Sequence, residues 1–327
     1  MREITPKSVA VLEWHGWTNF LLPRVLDDAG LRWEVDPFGP FPESQFEELC
    51  SAVSVVCFHV NLSIRIGLPL RLADLARSFS SRRVHVVNGF VEDIRKSALQ
   101  RHLESAGLPS VRALRAGPAD ELLFVKTELN YGGETERMVP PELSARLGIT
   151  QLISPQVEPG AYWTTCRGAL ADTVWDDPSL TVERFISNSE GSFYRVYFAG
   201  RQVIIVQAFD RSVIQKMRGG DRDVNYLCNL DDLRSGSDGL PLSSRLKQVI
   251  TVFLDHTPIE FGALDIVHDG HDNHYIVDLN PTPSAPDGSP NNQLNDFLRR
   301  GIIHPEYRRL RPGRAQTVAS AVANGPA

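Results

Sequence analysis

Short apolar runs alternate with amphipathic stretches through the first quarter of the chain. The pattern predicts strands at residues 8–13, 31–35, 52–59 and 84–87, with helical stretches at 18–29 and 70–79 between them. Strands that alternate with helices in this way are typical of a parallel sheet. We therefore predict an α/β domain over residues 1–90.

The pattern changes after residue 90, where strands begin to follow one another directly. Helices are expected at 92–106, 243–254 and 292–300, and strands at 122–126, 181–186, 193–198, 202–208, 261–267 and 275–279. Residues 211–239 are polar and contain glycine, so they are expected to be rich in loops. Pairs of strands joined by short turns are antiparallel, which predicts an α+β fold for this part.

The last predicted hairpin carries carboxylates inside two otherwise apolar strands. Strand alternation places Asp278 and Asn280 on one face together with Ile276. If the turn is centred between residues 271 and 272, Asp265 lies directly across from Asp278, and two like charges at that spacing are unfavourable. A divalent cation such as Mg²⁺ would offset the repulsion, because it favours one or two carboxylates plus phosphate oxygens. A solvent-facing sheet surface is the alternative.

Composition narrows the classes of function. The chain has 327 residues, of which 42% are hydrophobic, so two or three domains with sizeable cores are expected. A net charge of −6 gives no broad basic surface for nucleic acid. The four cysteines have no CxxC spacing, which argues against a zinc site or a disulfide framework. No apolar stretch is long enough to cross a membrane and the start has no signal-peptide pattern, so a cytoplasmic protein is expected.

Five segments, in order, resemble the ATP-grasp superfamily. They read IRKSALQRHLESAGLP, FVKTELNYGG, VERFI, SFYRVYFAG and GALDIV…YIVDLNPTP, and they span roughly residues 92–283. The resemblance implies a pre-ATP-grasp-like α/β domain at 1–90, followed by two α+β lobes at 91–182 and 183–310. Residues 311–327 are expected to form a disordered tail.

The resemblance also implies an ATP site between the two lobes, with Mg²⁺ as the metal and Mn²⁺ as a substitute. The implied phosphate contacts are Lys96, Lys126 and a loop containing Gly132 and Gly133, and the implied contacts to adenine and ribose are Glu183 and Phe185. The implied metal ligands are Asp265, Asp278 and Asn280. The implied catalytic residues are Lys126 and Arg195, and Arg195 would steady the transferring phosphoryl group or an acyl phosphate.

Each of these residues also has an ordinary structural interpretation. Lys96 is equally expected as a solvated helix residue, and the glycine pair as an ordinary turn. Glu183 is otherwise a residue of an edge strand, and Arg195 a member of a cross-strand ion pair. Arg211, Lys216, Arg218 and Asn225 are further candidates for the role of Arg195, and His15 and Trp17 are weak candidates for substrate contact.

The sequence departs from the common ATP-grasp pattern in two places. The phosphate loop begins Lys126–Thr127–Glu128 where lysine and proline are usual, and Asp278 stands where glutamate is often found. These departures indicate a divergent subfamily.

The implied activity is ligation of a carboxylate to an amine or thiol through an acyl phosphate. A small-molecule kinase and a nucleotide-binding protein without turnover are the alternatives. The expected partners are a small-molecule carboxylate and an amine, or an amino-acid or peptide substrate, with no nucleic acid and no membrane. A homodimer is a further alternative to a monomer.

Overall fold

The computed structural model describes residues 8–14, 20–26, 30–154, 162–212, 223–284 and 292–309. In these residues the strands are β1 (Ser8–Trp14), β2 (Gly30–Glu34), β3 (Val53–Val60), β4 (His85–Val87), β5 (Leu122–Thr127), β6 (Trp163–Cys166), β7 (Leu180–Arg184), β8 (Ser192–Ala199), β9 (Gln202–Phe209), β10 (Val224–Asn229), β11 (Phe261–His268) and β12 (His274–Asn280). The helices are α1 (Leu21–Leu26), α2 (Glu43–Ala52), α3 (Leu72–Ser81), α4 (Lys96–Ser105), α5 (Pro141–Arg146), α6 (Ile149–Leu152), α7 (Asp172–Trp175), α8 (Leu230–Ser235), α9 (Ser244–His256) and α10 (Asn292–Ile303), with short 3₁₀ segments between some of them.

The N-terminal part forms a four-stranded parallel sheet in the order β2-β1-β3-β4, which confirms the predicted α/β class. Both faces of this sheet are covered. Ala10 and Leu12 face a core completed by α3, whereas Val9 and Val11 face the C-terminal part of the chain. Burial on both faces explains why these strands are apolar without alternation.

The C-terminal part contains a five-stranded antiparallel sheet in the order β10-β9-β8-β11-β12, as the α+β class predicts. One face packs on α4 and α9 through residues such as Leu103 and Phe253. The other face packs on α10 and on the N-terminal sheet, so two sheets share one core. Helix α4 therefore packs mainly on the five-stranded sheet, although it precedes the central strands in the chain.

A third, antiparallel sheet has the order β6-β5-β7 and lies between these parts in the chain. The predicted boundary at residues 182 and 183 falls inside β7, whose backbone pairs with β5 from Leu180 to Arg184. Phe185 and Ile186 lie beyond the end of β7, and the chain then enters β8 through residues 187–191.

Two predicted elements are wrong in detail. Residues 92–95 are not helical, because Asp93 bonds the Arg95 backbone at 3.0 Å and Ile94 N donates to the Ser63 carbonyl. The interval 211–239 is not simply loop, because it contains β10 and α8. Strand β6 was not expected. The predicted tail, and residues 15–19 and 213–222, lie outside the described residues.

Asn88 joins the N-terminal sheet to the five-stranded sheet. Its side-chain Nδ2 donates to the Phe261 carbonyl at 2.7 Å, and its Oδ1 accepts from the backbone N–H groups of Glu260 and Phe261. The residue is buried and has a positive φ of 59°, which asparagine tolerates better than most residues. No described helix is long and apolar enough to cross a membrane.

Close contact between α10 and β8 depends on a glycine. A Cβ atom at Gly301 would lie 1.8 Å from the Ala199 carbonyl oxygen, so Gly301→Ala must push the helix off the strand. We expect this change to lower the free energy of unfolding by about 1–3 kcal/mol, the usual cost of overpacking. Urea unfolding measures it.

Gly270→Ala is the matched control, because no heavy atom lies within 4 Å of the added Cβ. We expect it to change the free energy of unfolding by less than about 0.5 kcal/mol. Equal stability of both variants would contradict the close packing of α10 on β8.

Candidate active site

A cavity of about 580 Å³ lies between the three-stranded and the five-stranded sheets. We call it the interlobe cavity and define it by Lys96, Lys126, Glu183, Arg195, Asp265 and Asp278, all of which line it. Phe185 lines it as well. The structure thus brings together seven of the predicted site residues, of which Lys96 and Asp278 are 182 positions apart in the chain.

The opposed carboxylates are present as predicted. Asp265 on β11 pairs with Asp278 on β12, and Arg195 on β8 pairs with Asp265 from the other side. The Arg195 Nη1 atom lies 3.3 Å from Asp265 Oδ1, so the predicted cross-strand ion pair exists and lies inside the cavity. The repulsion that seemed to require a metal ion is therefore offset by side-chain cations in this structure.

A β-bulge at Val277 sets the direction of Asp278. The register shifts between Asp265 and Ile266, so that Ile266 pairs with Ile276 while Asp265 pairs with Asp278. Ile276 consequently faces the hydrophobic core, and Val277 and Asp278 both face the cavity. The expectation that Ile276 shares a face with Asp278 is wrong, because strict alternation fails at a bulge.

Lys96 is buried, with 3% of its surface exposed, so its interpretation as a solvated helix residue is wrong. Helix α4 lies along β12, where Gln100 Nε2 donates to the Ile276 carbonyl at 3.1 Å. This packing carries the Lys96 Nζ to 2.9 Å from Asp278 Oδ1. Desolvation alone would lower the pKa of Lys96, but Asp278 outweighs it and the pKa stands above its usual value.

The two opposed carboxylates differ in their electrostatics. Desolvation would raise the pKa of Asp278, but Lys96, Lys126 and Arg195 together hold it below its usual value. Burial raises the pKa of Asp265, which Arg195 only partly compensates. Asp278 is thus the more firmly ionised of the pair.

Lys126 and Glu183 form a second buried ion pair. Lys126 Nζ lies 2.8 Å from Glu183 Oε2 and donates to the Val277 carbonyl at 2.7 Å. The exposed fractions are 4% for Lys126 and 2% for Glu183. Burial raises the pKa of Glu183, with Lys126 opposing the shift. Although β7 is at the edge of its sheet, Glu183 is directed inward, and its Oε1 accepts no hydrogen bond from the described residues.

Aromatic side chains form the apolar part of the cavity wall. The ring of Phe124 lies 5.7 Å from that of Tyr162 and 6.5 Å from that of Phe185. The rings pack edge-to-face or tilted, and all three side chains line the cavity. Phe124 and Tyr162 were not predicted from the sequence, although Phe124 is two residues before Lys126 on the same strand face.

Three predicted residues lie beside the cavity without lining it. Gly132 and Gly133 are buried in a 3₁₀ turn with positive φ angles of 65° and 77°, and a Cβ at Gly133 would meet Leu129. Asn280 donates from Nδ2 to the Tyr131 hydroxyl at 2.6 Å and accepts from the Thr282 backbone at 2.9 Å. The glycines therefore serve a turn, and the Asn280 side chain is already hydrogen-bonded.

The other candidates are scattered. Arg211 lines the interlobe cavity, whereas Asn225 lies exposed on β10. Lys216, Arg218, His15 and Trp17 lie outside the described residues. The residue that sequence reasoning missed most clearly is Asn130, whose side chain bonds Lys96 at 2.7 Å. Only its position beside the predicted phosphate loop could have indicated it.

The donor atoms of the cavity fit Mg²⁺ only together with a ligand. Among the described residues, no cluster of three or more His, Cys, Asp or Glu side chains is placed to hold a metal ion. Asp265 Oδ1 is buried, accepts no hydrogen bond from the described residues and lies 3.3 Å from Arg195 Nη1, with Asp278 opposite it. Two opposed carboxylates suit a Mg²⁺ ion that takes its other ligands from phosphate and water.

Comparisons with solved structures found ATP-grasp ligases. PsnB, complexed with a phosphomimetic variant of its minimal precursor, Mg and ADP, is 13% identical, with 90% of this chain and 98% of that chain covered and a TM-score of 0.47. A RimK domain ATP-grasp protein from Sphaerobacter thermophilus is 14% identical, with 90% and 97% covered and a TM-score of 0.45. N5-carboxyaminoimidazole synthetase from Staphylococcus aureus is 9% identical, with 91% and 77% covered and a TM-score of 0.45.

No protein-family model matches the chain, and no curated protein matches it in sequence. The similarities to solved structures are low in identity, with TM-scores below 0.5. The function proposed below therefore rests on the interlobe cavity itself.

Replacing Lys126 with methionine would leave the Glu183 carboxylate buried without its cation. We expect a loss of about 3–5 kcal/mol in the free energy of unfolding near neutral pH. The pKa of Glu183, already raised by burial, should rise further, so the folded state holds a proton that the unfolded state releases. The loss should therefore shrink as the pH falls through that raised pKa towards the pKa that Glu183 has in the unfolded state.

Urea unfolding of Lys126→Met over a pH series measures this effect. The control is Lys126→Met combined with Glu183→Gln, in which residue 183 carries no charge and the extra pH dependence should disappear. A loss that does not change with pH would contradict the charge balance assigned to this pair.

Proposed function

We propose that this chain is an ATP-dependent ligase of the ATP-grasp type. It joins a carboxylate to an amine, or to a thiol, through an acyl phosphate and releases ADP and phosphate. The observation that carries the proposal is the interlobe cavity, where an aromatic surface, two buried lysines, an arginine and two opposed carboxylates meet between two sheets. That combination matches the chemistry of a magnesium nucleotide.

The aromatic surface is suited to the base of the nucleotide. Phe124, Tyr162 and Phe185 would pack against adenine. Phe185 lies just beyond the end of β7, and its backbone N–H donates to the Leu122 carbonyl at 3.0 Å. Glu183 Oε1 is a buried acceptor that receives no hydrogen bond from the described residues, so it would accept one from the ribose or from the base. A nucleotide would thus satisfy a group that this part of the chain leaves unsatisfied.

Lys96 and Lys126 would bind the phosphates. Each ammonium has three donors, and each uses two of them on protein acceptors. Phosphate oxygens would take the remaining donor and compete with Asp278 and Glu183 for the charge. Asp265 and Asp278 would hold Mg²⁺, with Asn280 beside them, and the ion would supply neutralisation of phosphate charge.

The first chemical step is transfer of the γ-phosphoryl group. A substrate carboxylate oxygen forms a bond to the γ-phosphorus while the bond to the bridging oxygen of ADP breaks. Arg195 would stabilise the charge of the transferring group, because its guanidinium lies in the cavity wall beside Asp265. Lys126 would assist the transfer by binding the phosphate oxygens.

The second step forms the product bond. The amine nitrogen attacks the acyl carbon, the bond from that carbon to the phosphate oxygen breaks, and the nitrogen loses a proton. Most of the rate enhancement would come from positioning and charge neutralisation. An amino acid or a peptide is a candidate for either the carboxylate or the amine.

The metal carboxylates give the first test. We expect Asp265→Asn and Asp278→Asn each to lower ADP release at least about a hundredfold, because each removes charge that faces the phosphates in the transition state. Circular dichroism and thermal unfolding check that the variants fold. Asp74→Asn, which changes an exposed carboxylate on α3, is the control and should keep full activity. Full ADP release by either cavity variant would contradict the metal assignment.

An isotope experiment tests the reaction class. A substrate carboxylate labelled with ¹⁸O should pass one labelled oxygen to the released phosphate, because that oxygen leaves with phosphorus. Arg195→Ala should lower turnover more than it weakens nucleotide binding, since it acts on charge that develops during transfer. Mass spectrometry of the phosphate and single-turnover kinetics measure both.

The other outcomes indicate the alternatives. Unlabelled phosphate, or AMP with pyrophosphate, would exclude the acyl-phosphate route. A stable phosphorylated product in the absence of amine would indicate a kinase. Nucleotide binding without turnover across a carboxylate and amine screen would indicate a binding protein.

A further inference from the structure

Asn130 makes hydrogen bonds to three separate parts of the fold. Its Oδ1 accepts from Lys96 Nζ at 2.7 Å, its Nδ2 donates to the Leu279 carbonyl at 3.0 Å, and its backbone N–H donates to Ser63 Oγ at 3.0 Å. The residue is 7% exposed and follows β5 in a 3₁₀ turn. It therefore joins the central sheet to α4, to β12 and to the segment after β3.

The orientation of the amide is fixed by its neighbours. An ammonium group has only donors and a carbonyl has only an acceptor, so only one orientation of the Asn130 side chain satisfies both Lys96 and Leu279. Aspartate would place an oxygen against the Leu279 carbonyl, and leucine would satisfy neither contact. Asparagine therefore satisfies both contacts, which neither aspartate nor leucine can do.

The backbone of Asn130 is fixed from the other side. Ser63 receives the Asn130 N–H and donates its own backbone N–H to Glu136 Oε1 at 2.5 Å, with Glu136 only 1% exposed. Tyr131, the next residue, has a φ of 51°, a left-handed conformation that only a well-determined surrounding maintains. The backbone of the turn is therefore fixed by contacts that do not involve Lys96.

Lys96 needs such a partner because of its place in the cavity. Its ammonium is buried between Asn130 Oδ1 and Asp278 Oδ1, which use two of its three donors. A neutral acceptor opposite the carboxylate fixes the direction of the third donor without adding negative charge near the phosphates. A carboxylate in place of Asn130 would instead repel the nucleotide.

We propose that Asn130 is a positioning residue of the active site, which orients the Lys96 ammonium for the nucleotide phosphates. This inference rests on the proposed function, because Lys96 acts on phosphates only if a nucleotide occupies the interlobe cavity. It also means that the nucleotide site is complete only when the segment after β3, the turn after β5 and β12 are docked together.

The test is a double-mutant cycle on nucleotide binding. The variants are Asn130→Ala, Lys96→Met and the double variant, and the probe is a nonhydrolysable ATP analogue with Mg²⁺, titrated by calorimetry. We expect Asn130→Ala to weaken binding roughly tenfold or more, the scale of a hydrogen bond to a charged group. In the Lys96→Met background the same change should have little further effect, because the group it positions is gone.

Asn88→Gly is the matched control. Asn88 is an equally buried asparagine that bonds the backbone of the five-stranded sheet, and glycine keeps its positive φ without strain. Asn88→Gly removes four side-chain hydrogen bonds and Asn130→Ala removes two, so thermal unfolding should report at least as large a loss of stability for Asn88→Gly. Its nucleotide affinity should stay within about twofold of the wild type, because Asn88 does not touch Lys96.

The outcomes separate the inference from the proposed function. Equal nucleotide affinity of the wild type and Asn130→Ala, or losses that add in the double variant, would overturn the role of Asn130 alone. A wild type that binds no nucleotide would overturn the proposed function and the inference together. If Asn130→Ala does not fold, Asn130→Ser, whose hydroxyl is too short to reach both partners, carries the same cycle.

Discussion

The structure depends on the burial of two lysine ammonium groups between sheets. Lys96 pairs with Asp278, and Lys126 with Glu183, in surroundings where a charge without a partner would cost several kcal/mol. Each pair joins different elements: α4 to β12 in the first, β5 to β7 in the second, with the Val277 carbonyl as a further acceptor. Through that last hydrogen bond Lys126 joins the three-stranded sheet to the five-stranded sheet.

The same constraint explains the irregular backbone around the cavity. The bulge at Val277 directs both its own carbonyl and the Asp278 side chain to the lysines, while Ile276 and Leu279 remain in the core. The turn after β5 adopts left-handed angles to deliver Asn130. Regular strands and turns would have left at least one of the buried cations without an acceptor. A ligand that carries negative charge then has to compete with internal carboxylates, so it must bring comparable charge of its own.

Some elements were predictable because local pattern and tertiary role agree. The apolar runs of the N-terminal sheet and the hairpin with Asp265 opposite Asp278 follow from strand periodicity and turn chemistry. Others failed where tertiary contacts outweighed local propensity. Residues 92–95 have a helical pattern but bond to Ser63 and to their own side chains, and β10 lies in a polar interval because the edge of the sheet leaves it half exposed. For the glycine pair, the sequence left a phosphate loop and an ordinary turn as alternatives, and the packing of Gly133 against Leu129 is encoded by no local pattern.

The sequence by itself determined the fold class and the order of the elements, because these follow from periodicity. It also indicated Asp265, Asp278 and Lys126 as charges in apolar strands, whereas Lys96, Glu183 and Arg195 were named through the resemblance to a family. Only the tertiary structure decided which charges pair. Sequence reasoning expected a metal ion to offset the opposed carboxylates, whereas Arg195 and Lys96 reach them across the sheet and from a helix more than 180 positions away. The tertiary structure also decided that Asn130 Oδ1 accepts a hydrogen bond from Lys96 and that Asn280 Nδ2 donates one to the Tyr131 hydroxyl. The physical reason is that a pairing of charges depends on distances of a few ångströms between segments remote in the chain, and local preferences do not fix those distances.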